Sequence, residues 1–246
     1  MIGIIGYGMV GKALSIAFKS AEQIIVDPAH GDTTIGDLIK QKPIVVFVCV
    51  PTPTDDSNYE VLKSVLTQLK SYDGLVVVKS TILPHYIEDY DVVYNPEFLS
   101  RATAYKDLIN PPMVVLGGDM EKCKRVLTIY KQYTPLQSNN IFLTDIKTAA
   151  MVKYTMNTFY ATKITFMNAI YDVANKVGAD YDQLTDILSV HPWMGNHHFQ
   201  VPGPDGQRGF GGPCLPKDTA ALAYEYDIKL LKEVLNLNLE HRHGSN

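Results

Sequence analysis

Met1-Ile-Gly-Ile-Ile-Gly6-Tyr-Gly8-Met-Val-Gly11 is the stretch on which the fold turns. It begins with a short apolar run and passes directly into three spaced glycines. Lys12 to Lys19 then reads as an amphipathic helix, and a second apolar run, Gln23 to Val26, ends at Asp27. Strand, glycine turn, helix, strand and acid is the order of a dinucleotide-binding unit. Gly6 allows the tight turn, Gly8 lets a pyrophosphate reach the N–H groups of the helix N-terminus, and Gly11 lets helix and strand pack closely. Tyr7, Met9 and Val10 fill the same turn. Asp27 follows the first glycine by about 20 residues, where a carboxylate accepts hydrogen bonds from both ribose hydroxyls. No arginine follows it immediately, so NAD is favoured over NADP.

The strands continue beyond this unit. Ile44 to Val50 is a continuous apolar run, as in a parallel strand buried on both faces. It ends in Val50-Pro51-Thr52-Pro53-Thr54, at a strand's carboxyl end, where open α/β sheets bind ligands. Tyr59 to Leu69 reads as a helix. Leu75 to Val78 is a further buried strand, ending in Lys79-Ser80-Thr81 on the same edge. Asp91 to Tyr94, followed by Asn95-Pro-Glu97-Phe98-Leu99, and Met113 to Leu116 are expected to be strands. A helix from Asp119 to Tyr133 and a closing strand, Ile141 to Leu143, complete the pattern. Cys49 and Cys123 read as core or surface thiols without chemistry.

Then the alternation stops. Thr144 or Asp145 can cap a helix, and no glycine follows before Gly178 and no proline before Pro192. A helix over 145–176 would be about 48 Å long. A helix of that length bridges domains or subunits. The expected architecture is therefore a Rossmann-type, doubly wound, mostly parallel α/β sheet over 1–144, joined by a long helix to an all-helical domain over 145–246. Lys153 and Asn157, four residues apart, share a face of that helix; unaided, such a pair reads as solvated surface. Tyr181 to Leu188 and Pro216 to Leu239 read as further helices, and 240–246 as a frayed tail.

The 246 residues carry a net charge of −4, which gives no reason to expect nucleic acid or an anionic membrane as partner. No apolar run reaches the roughly 20 residues of a membrane helix. Three widely spaced cysteines form no metal-ligand pattern, and no metal is expected; His197 and His198 lack a third ligand at a recognisable spacing. A reducing cytoplasm is the expected compartment.

Gly209-Phe-Gly211-Gly212-Pro-Cys214-Leu-Pro216-Lys217-Asp218 concentrates the chemistry. Its glycines let the backbone approach a ligand closely. Pro216 suits the first turn of a helix, so Cys214 falls at a helix N-terminus, where the dipole and Lys217 favour a thiolate. Asp218 lies four residues on, in the same turn.

Taken together, these motifs resemble the UDP-glucose/GDP-mannose dehydrogenase family. The matching residues are Gly6 to Gly11, Val50 to Pro53, Ser80-Thr81, Asn95 to Leu99, Lys153 with Asn157, Val201 to Gly206, and Gly209 to Asp218. The resemblance implies a nucleotide sugar as substrate, with UDP-glucose preferred, and oxidation of its C6 hydroxyl to a carboxylate using two NAD+. Cys214 would form a thiohemiacetal and then a thioester. Lys153 and Asn157 would stabilise oxyanions, Asp218 would accept protons, and Glu97 and Thr81 would face the nicotinamide, with Glu97 helping to activate water. Phe98, Leu99 and Gly211 would join Glu97, Lys153, Asn157 and Cys214 in holding substrate. Arg101 departs from the family's pattern, which has a glutamate at that position, and reverses the charge there.

The family's members continue into a second domain that grips the nucleoside diphosphate. For this sequence that domain is expected to be missing or supplied by a separate chain, with weak substrate binding as the consequence. The long helix implies a homodimer. Two other readings stand beside this one. A non-catalytic or partner-dependent NAD-binding dimer is the first. A short β-hydroxyacid dehydrogenase is the second, against which the cysteine stretch argues.

Overall fold

The computed structural model describes residues 1–52, 59–195 and 197–244. Two compact units divide at Lys153 and Tyr154, inside the long helix. In the first, β1 (Ile2–Ile5) leads to α1 (Met9–Ala17) and β2 (Gln23–Val26). Next come α2 (Ile35–Lys40), β3 (Val45–Val48), α3 (Tyr59–Gln68), β4 (Leu75–Val78) and β5 (Val93–Tyr94). Then follow α4 (Ala104–Ile109), β6 (Val114–Gly117), α5 (Met120–Tyr133), β7 (Ile141–Thr144) and the start of α6 (Ile146–Val177).

The sheet order is β2-β1-β3-β4-β5-β6-β7. Every pairing is parallel except β5 with β6, which is antiparallel. The chain first moves outward from β1 to β2 and then returns to the other side of β1 with β3. The carboxyl ends of β1 and β3 therefore flank the point where strand order reverses, which is where such sheets bind ligands.

Alternation within the apolar runs builds a core on each face of the sheet. Val46, Val48, Val76 and Val78 pack with Leu62 and Ile82 on one face. Val45, Phe47, Leu75 and Val77 pack with Phe18, Cys123 and Tyr130 on the other. Each fully buried aliphatic side chain contributes about 1.5–3 kcal/mol relative to exposure. Cys123 is an ordinary core residue, and burial pushes the Cys49 thiol up to about 12. α2 starts at Thr34, whose hydroxyl accepts the Asp37 N–H while the Asp37 carboxylate accepts the Thr34 N–H. That capping box lies between two runs that read only as strands.

The second unit holds the rest of α6, α7 (Tyr181–Ser189), α8 (Leu215–Glu225) and α9 (Lys229–His243). α6 spans 32 residues, with Asp145 as its cap: the Asp145 carboxylate accepts the Thr148 N–H at 2.9 Å. Among the described residues no helix is long and apolar enough to cross a membrane.

Two expectations are corrected here. Pro216 to Leu239 is two helices, not one. The Ile228 N–H bonds the Ala223 carbonyl at 2.9 Å across Asp227, which sits at φ 51°. This is a Schellman-type stop with aspartate in the left-handed position that glycine usually takes. The final stretch is not frayed from Glu240. α9 runs to His243 because its last turn has tertiary partners: Arg242 holds Asp205 at 2.9 Å, and His241 Nδ1 meets Arg208 at 3.2 Å.

A Cβ on Gly11 would stand 2.1 Å from the Gly6 carbonyl oxygen, whereas one on Gly8 would meet nothing within 4 Å. Gly11→Ala is therefore expected to lower unfolding stability by roughly 1–3 kcal/mol in urea titrations. Gly8→Ala is expected to stay within about 1 kcal/mol, the cost of a poorer helix cap.

Candidate functional site

The crevice at the strand-order reversal is built from main chain. Gly6 takes φ 89°, and a Cβ there would lie 2.7 Å from the Cys49 carbonyl oxygen, so β1 and β3 close up only around glycine. Gly8 is the N-cap of α1, and the first-turn N–H groups of a helix have no intrahelical acceptor. Asp27, at the end of β2, accepts the Tyr7 N–H at 2.6 Å and the Ala29 N–H at 2.8 Å. Those two bonds hold its carboxyl below the usual aspartate range. The open space over Gly8, the α1 N-terminus and a fixed carboxylate fit a dinucleotide. Gly6 to Gly11 would hold its pyrophosphate and Asp27 a ribose.

Across the crevice the Thr52 hydroxyl donates to the Thr81 carbonyl at 2.7 Å, and Ser80 donates to the Val50 carbonyl at 2.6 Å. These bonds tie the ends of β3 and β4 together. Of the Val50 to Thr54 stretch, Pro53 and Thr54 lie outside the described residues.

Beyond β5 the polar groups go inside. Lys153 is 5% exposed and Glu97 8%. The Lys153 ammonium donates to the Glu97 carbonyl at 2.7 Å and to its Oε1 at 3.3 Å, while Glu97 Oε2 accepts the Leu99 N–H at 2.7 Å. Phe98 lies under the same ammonium, 5.6 Å from ring centre to nitrogen. Lys153 is thus a buried ion-pair partner, not a solvated helix residue. Arg101 is exposed.

Sequence reasoning missed Lys79. It is 3% exposed, and its ammonium donates to the Asn95 carbonyl at 3.1 Å and Asn95 Oδ1 at 2.8 Å. The available signal was a lysine directly after a strand buried on both faces.

In the second unit Cys214 is the N-cap of α8 and is half-buried. Asp218, in the first turn, is 1% exposed. It accepts the Asn157 amide on one oxygen and the Lys217 ammonium on the other. Lys217 therefore places its charge against Asp218 in the first turn after the cysteine. Asn157 is buried as well, so neither member of the α6 pair is solvated.

The glycines before Cys214 have a different job from the one their sequence suggests. A Cβ on Gly209 would lie 2.3 Å from Asn238 Oδ1, and one on Gly211 would lie 2.8 Å from the Arg242 guanidinium. Asn238 accepts the Phe210 N–H at 2.6 Å and donates back to its carbonyl at 3.0 Å. Asn168 Oδ1 accepts the Gly209 N–H at 3.1 Å. Two glycines thus admit the chain's own clamps. Gly212, at φ 77°, has open space where a Cβ would stand. It lines a cavity of about 480 Å³ together with Gly211, Leu215 and His198. His198 stacks on Tyr160 with ring centres 4.5 Å apart. Among the described residues no group of three or more His, Cys, Asp or Glu side chains is arranged to hold a metal ion.

Residues 30–134 match the NAD binding domain of the UDP-glucose/GDP-mannose dehydrogenase family, and residues 147–240 match its central domain. UDP-glucose 6-dehydrogenase from Rickettsia felis is 32% identical over 222 residues, covering 80% of this chain and 48% of that protein. GDP-mannose 6-dehydrogenase from Pseudomonas syringae pv. tomato is 31% identical over 242 residues, covering 85% and 53%. The chain thus spans about half the length of these relatives. A UDP-glucose dehydrogenase structure from Pyrobaculum islandicum superposes with a TM-score of 0.82 at 22% identity, covering 97% of this chain and 67% of that one. At that identity the likeness concerns the fold.

The cofactor is NAD. If Asp27 holds a ribose, Asp27→Ala is expected to weaken NAD binding by about 10- to 100-fold, the effect of a lost charge-assisted bond. Calorimetry on the protein without substrate measures it, and an unchanged Kd contradicts the assignment of Asp27.

Proposed function

Because the chain belongs to the UDP-glucose/GDP-mannose dehydrogenase family, a family of NAD-dependent nucleotide-sugar dehydrogenases, we propose that it oxidises the C6 alcohol of a nucleotide sugar to the carboxylate, with UDP-glucose as first choice. The observation that carries the reading is the burial of Asn157 and Asp218 against each other beside a cysteine at a helix N-terminus. Helix surfaces do not normally bury such groups, and clusters of this kind mark functional sites.

NAD+ supplies the hydride acceptor, twice per turnover. The protein supplies the rest. Asp218 accepts the proton of the C6 hydroxyl, directly or through water, as that alcohol becomes an aldehyde. Cys214 attacks the aldehyde carbon through sulfur, and the carbonyl oxygen becomes the oxyanion of a thiohemiacetal. Lys153 and Asn157, one turn apart on α6, donate hydrogen bonds to that oxygen. A second oxidation leaves a thioester on Cys214, and water cleaves its carbon–sulfur bond, releasing the acid and restoring the thiol. Glu97 is the group assigned to orient that water, and Thr81 lines the nicotinamide side.

The partner we assign is a second copy of the chain. Phe159, Phe166, Val173 and Val177 are 61%, 55%, 54% and 70% exposed on α6. Their seven- and four-residue spacing puts them in one stripe, the pattern of a helix–helix seam. The reaction is placed in the cytoplasm, where NAD and reduced thiols coexist.

A coupled assay is expected to give two NADH per UDP-glucose in the native chain and at most one, with no sugar acid released, in Cys214→Ala; full turnover in that variant overturns the mechanism. Intact mass after incubation with UDP-glucose and NAD+ is expected to show any stalled acyl-enzyme as an adduct that Cys214→Ala lacks. Sedimentation is expected to show a dimer, and Phe166→Glu a monomer.

A further inference from the structure

We propose that Lys79 is a positioning residue for this reaction: through Asn95 it fixes the loop whose Glu97 carbonyl and carboxylate receive the Lys153 ammonium. The proposal rests on the role given above to Lys153. Lys79 stands where β4 ends, and its own N–H continues the ladder to the Val48 carbonyl at 2.9 Å. Its side chain turns inward to Asn95, on the neighbouring strand end.

Asn95 is bonded at every polar atom. Its N–H donates to the Val78 carbonyl at 2.8 Å, and its carbonyl accepts from Lys79 at 3.1 Å. Oδ1 accepts from Lys79 at 2.8 Å and from the Tyr130 hydroxyl at 3.0 Å. Nδ2 donates to the Val115 carbonyl at 2.8 Å. β4, β6 and α5 thus converge on one asparagine. Pro96, with φ fixed by its ring, then passes that position on to Glu97. One residue, Pro96, separates Asn95 from the groups that hold Lys153.

A neutral side chain of the same length could fill the volume, so the charge needs its own reason. A buried ammonium is disfavoured unless carbonyl and carboxylate groups compensate it. Lys79 has Asn95 in direct contact, and it feels Cys49 from the end of β3, Glu97 from the loop and Lys153 from α6. Burial is the largest influence and draws Lys79 down to about 8; Cys49 and Glu97 oppose that, and Lys153 adds to it. Glu97 is bonded to Lys153 directly, whereas Lys79 is held on Asn95 and feels the Glu97 carboxylate without touching it.

Two arms test this in the full chain. In the first, the 13Cε signal of Lys79 is followed through a pH titration. Its midpoint is expected to fall in Glu97→Gln and to rise in Lys153→Met. A midpoint that stays put in both variants overturns the coupling. In the second, Lys79→Met is expected to lower turnover at least tenfold and to alter the pH profile of turnover, with the NAD Kd within twofold of the native chain. Turnover and pH profile both unchanged overturn the proposal. If Lys79→Met fails to fold by circular dichroism, the titration arm decides. If the native chain turns over no nucleotide sugar, the proposed function fails while the titration still judges the Lys79 triad.

Discussion

Taking the Lys153 ammonium out of water costs several kcal/mol unless oxygen atoms replace the lost hydration. Glu97 replaces it twice, through its carbonyl and its carboxylate, and the Leu99 N–H holds the remaining carboxylate oxygen. This ion pair ties the loop after β5 to the first turns of α6. A surface salt bridge would be worth little and would tolerate drift. A buried one is intolerant of misplacement, because either partner left alone is an uncompensated charge. The geometry of the first unit around Glu97 is accordingly determined by bonds that cannot be half made, down to Asn95, where all polar atoms are engaged.

The second unit meets the same problem with neutral groups. Asn168 and Asn238 are almost fully buried; Asn238 spends both amide atoms on the Phe210 main chain, and Asn168 gives its Oδ1 to the Gly209 N–H while its amide nitrogen donates to the Ile164 carbonyl. Glycine at 209 is what lets Asn238 approach, and glycine at 211 does the same for Arg242. The loop's composition reads as flexibility, yet its hydrogen bonding is that of a fixed element. Of Gly209, Gly211 and Gly212, it is Gly212 that keeps the open space a ligand-facing glycine requires. Preorganisation of this kind suits the nucleophilic role proposed for Cys214.

The parts legible in the sequence are those with a strong period or a fixed motif. Ile2 to Ile5 and Val45 to Val48 announce buried strands, and Gly6 to Asp27 announces a dinucleotide crevice. The 32 residues of α6 follow from an absence of breakers. What escaped has physical causes. The stop between α8 and α9 uses Asp227 in a conformation that only a tertiary setting selects. The last turn of α9 is held by Arg242 on Asp205, a contact between residues 37 apart in sequence. Burial of Lys153 and Asn157 escaped for the same reason, since a spacing of four names a face but not what covers it.

The hardest group to see was Lys79, and the reason is instructive. A lysine at the end of an apolar strand looks like the point where the chain returns to water. The backbone does reach the ligand edge there, but the side chain turns back beneath it, and its two bonds to Asn95 are invisible to any local pattern. Motifs record where the chain passes close to a ligand. They do not record the charges placed underneath to hold that passage still. In this fold the visible layer is glycine, proline and threonine at the strand ends. The supporting layer is two ammoniums and one carboxylate with nearly no contact with solvent. A substitution in the visible layer alters what is bound. One in the supporting layer alters how exactly it is held, which is why the two must be separated by binding on one side and by turnover and titration on the other.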